Sequence, residues 1–273
     1  MIADLHPFFL PSVAGRLFCV YFPPQGIDRG TDILLFPPFA EELNKSRRMI
    51  AVQARAFARL GMGVLIPDLY GTGDSEGDFE DARWDIWLQD MARADAWLRA
   101  RGNRELVYWG HRLGALLAMA AVAGAAPGPA RIILWQPVAK GAVYLTQFLR
   151  LRLAADMMRG GETLTTDDLR RELGSGASVE IAGYTLHPAL AGAIDALDLI
   201  ASPPPAGVPV AWLEIVGGAA RPMAHISRQI VERWRGAGAT VETATVAGEP
   251  FWSTPEITEV PPLIEATVQQ ILR

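Results

Sequence analysis

The sequence predicts an α/β protein with a mostly parallel central sheet, helices on its flanks and one insertion. Three observations carry this. Apolar runs of strand length alternate with stretches of helical periodicity from about residue 32 to 135 and again from 208 to 272. The alternation stops between about 140 and 200. Between an apolar strand and an apolar helix stands a tight turn with glycines four apart, Gly110 and Gly114.

In chain order, residues 16–23 read as a strand, 24–30 as a turn and 32–36 as a buried strand ending at Pro37-Pro38. The first of these is expected to enter the sheet antiparallel. Met49, Val52, Phe57 and Leu60 mark a helix over 46–60 that stops at Gly61, and 63–67 is the next strand. A loop at 68–82 precedes a tryptophan-bearing helix (84–101), a strand (105–109), the glycine turn, a helix (113–124) and a strand (131–135). Trp84, Trp87 and Trp97 recur near helical spacing and read as core residues. The insertion begins with a helix over 144–159, followed by a charged turn and helix (162–173) and a hairpin at 178–186. After Pro203-Pro-Pro205 the alternation resumes with a strand (208–216), helix (222–236), strand (239–246) and helix (262–272). The expected organisation is a core of 1–139 and 201–273 with a cap, or lid, at 140–200.

Bulk properties narrow the function classes. A chain of 273 residues that is 50% hydrophobic can bury a large core. A net charge of −5 and a pI near 5.5 are the wrong sign for a nucleic-acid surface, so no nucleic-acid partner is expected. The single cysteine, Cys19, forms no internal disulfide, and the N-terminal residues lack the pattern of a secretion signal, which points to a cytoplasmic protein. Apolar stretches fall short of the roughly 20 residues needed to span a bilayer. Four scattered histidines and one cysteine make no ligand cluster, so neither metal nor cofactor is expected.

The turn Gly110-His-Arg-Leu-Gly114 has the spacing of the nucleophile elbow G-x-S-x-G, in which a strand turns sharply into a helix and lifts the central side chain out of the sheet. The nucleophile position holds Arg112. A guanidinium stays protonated and offers no lone pair to a carbonyl carbon, so it cannot form an acyl-enzyme. Together with the element order and Pro67-Asp-Leu-Tyr-Gly-Thr-Gly-Asp-Ser-Glu-Gly77, this turn resembles the α/β-hydrolase superfamily, on its serine-aminopeptidase or esterase side. More narrowly, Phe36-Pro-Pro-Phe-Ala-Glu-Glu-Leu-Asn-Lys-Ser-Arg-Arg48, Trp109-Gly-His-Arg-Leu-Gly-Ala115 and Gly248-Glu-Pro-Phe-Trp252 resemble the exosortase A system-associated hydrolase 2 family. That resemblance spans nearly the whole chain. It implies a context of exopolysaccharide and protein-sorting loci in bacterial envelope assembly.

In that fold the catalytic acid follows the strand after the cap and the histidine follows the last strand. The acid loop reads Val216-Gly-Gly-Ala-Ala-Arg-Pro222, with Ala220 or Arg221 at the acid's place. The histidine loop reads Val246-Ala-Gly-Glu-Pro-Phe-Trp252, with Glu249 or Pro250 at the histidine's place. All three triad positions are therefore changed, and loss of the nucleophile alone costs a serine hydrolase roughly a factor of a million. The loop that would supply oxyanion donors carries Pro37-Pro38, which lack N–H groups, and then Phe39, Glu41, Glu42, Asn44, Lys45, Arg47 and Arg48. It reads either as a polar rim to the pocket or as a solvated helix start.

Arg112, placed in a partly enclosed cleft, needs a carboxylate, and Glu41, Glu42 and Glu249 are the candidates. Such a pair either braces the loops or serves anion binding. Further pocket candidates are His111, beside the elbow position, and Trp252. His187, His225, Ser75 and Cys19 read as structural. The expected function is a hydrolase-fold protein without a serine triad that binds a small-molecule or acyl- or lipid-linked ligand in its cleft, or a protein partner through its cap. Leu145, Phe148, Leu149, Leu151 and Leu153, flanked by Arg150 and Arg152, give the cap helix a broad apolar face, which leaves packing, an acyl groove or peripheral membrane contact open. The alternative is an active ester or acyl hydrolase in which Arg112 stabilises an oxyanion and a glutamate activates water.

Overall fold

Strand polarity divides the sheet into a two-strand antiparallel margin and a parallel body. A computed structural model of the chain describes residues 5–125, 127–158, 164–218 and 221–272. Eight strands line up in the order β1 (His6–Pro11), β2 (Arg16–Phe22), β4 (Gly63–Pro67), β3 (Thr31–Phe36), β5 (Glu105–His111), β6 (Arg131–Trp135), β9 (Val210–Val216) and β10 (Val241–Ala247). β1 and β2 run antiparallel to their neighbours, and every other pair is parallel. Helices α1 (Glu41–Arg59), α2 (Trp84–Arg99), α3 (Leu113–Gly124), α7 (His225–Gly236) and α8 (Pro261–Ile271) make the crossovers and the last layer. One face of the sheet packs with α2, α3 and α7, the other with α1 and α8. Both faces are covered, which is why residues 33–36 of β3 and 132–135 of β6 are unbroken apolar runs.

Between β6 and β9 come α4 (Gly141–Met158), α5 (Thr166–Gly174), the hairpin β7 (Val179–Ile181) and β8 (Tyr184–Leu186), and α6 (Pro188–Asp195). The hairpin turns at Ala182 and Gly183, with φ of 50° and 86°. Positive φ at both central residues matches the twist of the two strands.

Several boundaries differ from the sequence reading for identifiable reasons. β1 is an additional strand. Its two prolines speak against a strand, yet an edge strand tolerates them because one row of its N–H groups has no ladder partner. α1 starts five residues before the expected 46, at the acidic pair Glu41-Glu42, which suits a helix N-terminus. α6 is also additional; Pro188 occupies its first position and the His187 side chain caps it, accepting from Ala189 N at 3.0 Å. The ends of the expected helices at 159 and 162–163, and Ala220, lie outside the described residues. Among the described residues no helix is long and apolar enough to cross a membrane.

Candidate functional site at the elbow

The C-terminal ends of the parallel strands carry three non-glycine residues with positive φ: Ala40 after β3 (50°), Arg112 after β5 (55°) and Gln136 after β6 (41°). Conformations of this kind cost about 1–3 kcal/mol each and persist where surrounding structure imposes them. At Arg112 the imposition is visible. Its N–H donates to Trp135 O at 3.0 Å, and Val138 N donates to its carbonyl at 3.3 Å. A Cβ on Gly114 would stand 2.1 Å from Phe36 O, and one on Gly110 would stand 2.6 Å from Ala115 Cα. Only glycine permits these approaches, so the elbow's backbone is intact although its central side chain is not a nucleophile.

The Arg112 side chain is held by Glu42 in the first turn of α1. Nε and Nη2 both donate to Glu42 Oε1, at 3.1 and 2.9 Å, and the Tyr144 hydroxyl of α4 donates to Glu42 Oε2 at 2.9 Å. The guanidinium also lies over the rings of Trp252 (5.0 Å) and Tyr144 (5.5 Å). Arg112 and Glu42 side chains are 14% and 8% exposed, so the charges are paired inside the protein. Burial works against the Arg112 charge, and Glu42 beside it more than offsets this, holding the guanidinium above its ordinary value. Burial and then Glu42 push the Tyr144 phenol well above its usual range. Of the three carboxylates considered for Arg112, Glu42 makes the pair.

Glu41 differs from its neighbour. Its Oε2 is buried without a hydrogen-bond partner. Burial first, and Glu42 in addition, push its carboxyl up to about 7, against a lowering by Lys45 and Arg112. Glu41, Glu42, Arg112, Tyr144 and Trp252 line a cavity of about 230 Å³. On the other side of Arg112 a cavity of about 390 Å³ adds Gln136, Lys140, Glu214 and Ser227, with Tyr144 and Gln147 lining both.

The remaining residues singled out in the sequence go elsewhere. His111 is fully buried, its ring stacked on Phe251 at 5.2 Å and edge-on to Trp135 and Trp252. Nδ1 lies 3.3 Å from Trp135 O, which can only accept, so Nε2 accepts from Ser46 Oγ at 3.1 Å. Burial pushes its pKa down to about 3 and keeps it neutral. The connectivity is that of a Ser–His pair, but both residues are 0% exposed, so no substrate reaches it. Phe39 is a buried hub whose ring meets Phe79, Trp87, Tyr144 and Phe148. Asn44 donates to Tyr184 OH at 3.1 Å, Arg47 pairs with Asp68 at 3.0 Å and Arg48 with Glu259 at 2.5 Å. These three brace α1 against β8 and adjoining loops; as pocket residues they are corrected, because their polar ends are taken and they do not line either cavity. Glu249 is exposed and lies apart from both cavities, since the loop turns Phe251 and Trp252 inward in its place. Arg221 is likewise exposed, beside Gly217. Burial pushes the Cys19 thiol up to about 12, out of nucleophile range.

The lining residues that escape the sequence reading include Gln136, Lys140, Tyr144, Gln147, Glu214 and Ser227. Glu214 carried a signal, a lone acid in the apolar strand Val-Ala-Trp-Leu-Glu-Ile-Val. It is 2% exposed, accepting from Trp212 Nε1 at 2.9 Å and Ala224 N at 3.0 Å. Tyr144 and Gln147 carried none, because which turn of α4 overhangs the elbow depends on how the inserted segment docks.

The strand order, the elbow geometry and the segment inserted between β6 and β9 define an α/β-hydrolase fold. Residues 40–188 match the family described as serine aminopeptidase, S33, and the chain belongs to that family. No curated protein matches it. Among solved structures it is similar to Est1E from Butyrivibrio proteoclasticus with ferulic acid bound (17% identity, 97% of this chain and 100% of that one, TM-score 0.66). It is also similar to a highly thermostable carboxyl esterase from Bacillus coagulans in complex with glycerol (12% identity, 98% of each chain, TM-score 0.66). A third likeness is to a putative hydrolase from Agrobacterium vitis S4 (16% identity, 99% of each chain, TM-score 0.63). At such identities the likeness speaks to the fold alone.

Proposed function

We propose that this chain is a hydrolase-fold protein without a serine triad that binds its ligand in the cleft beside Arg112 and does not cleave it. The observation that carries this is the Arg112–Glu42–Tyr144 network, which occupies the nucleophile position with a paired, buried cation. A guanidinium so placed can orient a polar group but cannot attack one. The segment 140–200 acts as the cap over that cleft, and its ligand is a small or acyl- or lipid-linked molecule. A protein partner docking on α4, where Val143, Leu151, Met157 and Met158 are exposed, is the other form of the same reading. The resemblance of the segments at 36–48, 109–115 and 248–252 supports the reading of an accessory protein of exopolysaccharide and exosortase-associated envelope pathways, working from the cytoplasm.

The test is turnover of activated esters of short and long acyl chain by the purified protein and its Arg112→Ala variant. The expected result is no turnover above buffer in either. Turnover that disappears with Arg112 would overturn the reading in favour of a second one, to which the state of Glu41 lends support. A carboxyl titrating near 7, close to the Arg112 cation, has the properties of a general base for water. In that case the rate should rise with pH along a limb near 7 that Glu41→Gln abolishes.

A further inference from the structure

We propose that the two cavities flanking Arg112 form a subsite for an uncharged, hydroxyl-rich ligand about the size of a sugar ring. The inference rests on the binding reading above and narrows it by asking which polar groups remain free. The buried formal charges at the cavities are already held by other groups. Arg112 is taken by Glu42, which also accepts from Tyr144. Glu214 is held by an indole N–H and a backbone N–H. Lys140 faces Asp198 at 3.9 Å, and Lys45 reaches Ser253 O at 3.5 Å on the cavity rim.

The groups left over are neutral apart from Glu41, which is only partly ionised at pH 7. Gln147 lines both cavities, and its amide makes no hydrogen bond among the described residues. Gln136 spends its Oε1 on Ile215 N at 2.8 Å, which leaves its NH2 for the 390 Å³ cavity. Ser227 adds a hydroxyl there. Glu41 adds a carboxyl that burial, with Glu42 beside it, pushes up to about 7 against Lys45 and Arg112, so that about half of it carries a proton at pH 7. Between these polar points stand apolar walls: Val138, Val143 and Ile226 on one side, Phe148, Leu151 and Trp252 on the other.

A ligand carrying a net charge would find Arg112 and Glu42 already paired inside the cleft and would have to break that pair, which is costly in a partly desolvated site, while Lys140 stands half exposed beside Asp198 and Lys45 reaches only a carbonyl near the rim. Hydroxyl groups can both donate to and accept from amides, a hydroxyl and a carboxyl, while the C–H faces of a ring cover the apolar walls. Volumes of about 230 and 390 Å³ suit one small ring in either cavity.

The experiment compares methyl α-glucopyranoside with glucuronate and glucosamine at pH 7, following the Gln147 side-chain amide and the Arg112 Nε–H by NMR titration. The expected result is saturable binding of the neutral glycoside at least about tenfold tighter than either charged probe. Gln147→Leu, at an exposed position that leaves folding intact, should weaken it by about tenfold. Tighter binding of a charged probe, undiminished binding by Gln147→Leu, or no saturation by the neutral glycoside would each overturn the proposal. Its failure is separable from that of the binding reading. Ester turnover would sink the latter and leave the subsite standing, whereas a missing glycoside titration with no turnover would do the reverse.

Discussion

Two glycine-bearing turns at the same end of the sheet follow β4 and β5. The loop after β4 keeps its backbone and its polar side chains as one closed circuit. Asp68 Oδ2 accepts from Asp74 N and from Arg47, each at 3.0 Å. Ser75 Oγ donates to Asp68 O at 2.6 Å and accepts from Phe18 N at 2.8 Å. The elbow after β5 keeps only its backbone. Its glycines, its φ of 55° and its main-chain bonds to β6 are all present around a side chain that belongs to other chemistry. In the first turn the polar side chains hold the shape, so shape and residues stand together. In the second, backbone packing holds the shape and the central side chain is free to be exchanged.

The sharpest way to break this contrast is Gly114→Ala. The new Cβ would fall on two backbone oxygens, Phe36 O at 2.1 Å and Pro37 O at 2.5 Å, neither of which can swing aside. A loss of about 4 kcal/mol or more is expected in denaturant unfolding. A loss below about 1 kcal/mol would show that the elbow is not held by packing.

Next comes the exchanged side chain's own support. Glu42→Leu leaves a buried guanidinium unpaired and should cost about 3 kcal/mol. Glu42→Leu combined with Arg112→Met should recover most of that, since a buried pair is replaced by apolar volume. A double variant as unstable as the sum of the singles would mean the pair is not the unit it looks.

Glu41 supplies a pH-dependent effect. In the unfolded chain its carboxyl ionises near 4.5 and in the fold near 7, so the unfolded state releases the proton first as pH rises. The stability held by the neutral carboxyl is therefore full below 4.5 and lost as pH climbs through 7. Glu41→Gln, which stays neutral, should raise stability by about 2 kcal/mol at pH 8 and change little at pH 4.5. Equal effects at both pH values would show that Glu41 is not held neutral. The smallest effect belongs to the loop after β10, where Glu249 stands at the place of a triad histidine. Glu249→Ala should alter thermal stability and ligand binding by less than about 0.5 kcal/mol, and any larger change would bring that residue back to the site.

Much of the fold was legible because its signals are local. Apolar runs bounded by Gly and Pro mark β3 to β6 and β9, β-branched residues in alternation mark β10, and helical periodicity marks the crossover helices between them. β1 was not legible, since its tolerance for two prolines depends on lying at the sheet's edge. The site was legible in part. That Arg112 sits on an elbow and that a carboxylate must answer it follow from residue chemistry and spacing. Which carboxylate does so could not follow, because Glu41 and Glu42 are neighbours of the same charge on one helix turn.

The sequence by itself determined the fold class, the elbow, and the absence of serine, acid and histidine from the three loops where a triad would stand. These are properties of residue type at fixed spacing. Only the tertiary structure decided that Glu42 pairs with Arg112 while Glu41 is left with one buried oxygen, Oε2, that has no hydrogen-bond partner. It alone put Tyr144 and Gln147 from α4 over the elbow, and turned His111 into the aromatic layer beside Phe251 and Trp252. Those outcomes depend on how α1, α4 and the 248–252 loop approach the end of β5 from distant parts of the chain. Helix phase and docking angle, not local propensity, choose which of two adjacent side chains meets the cleft.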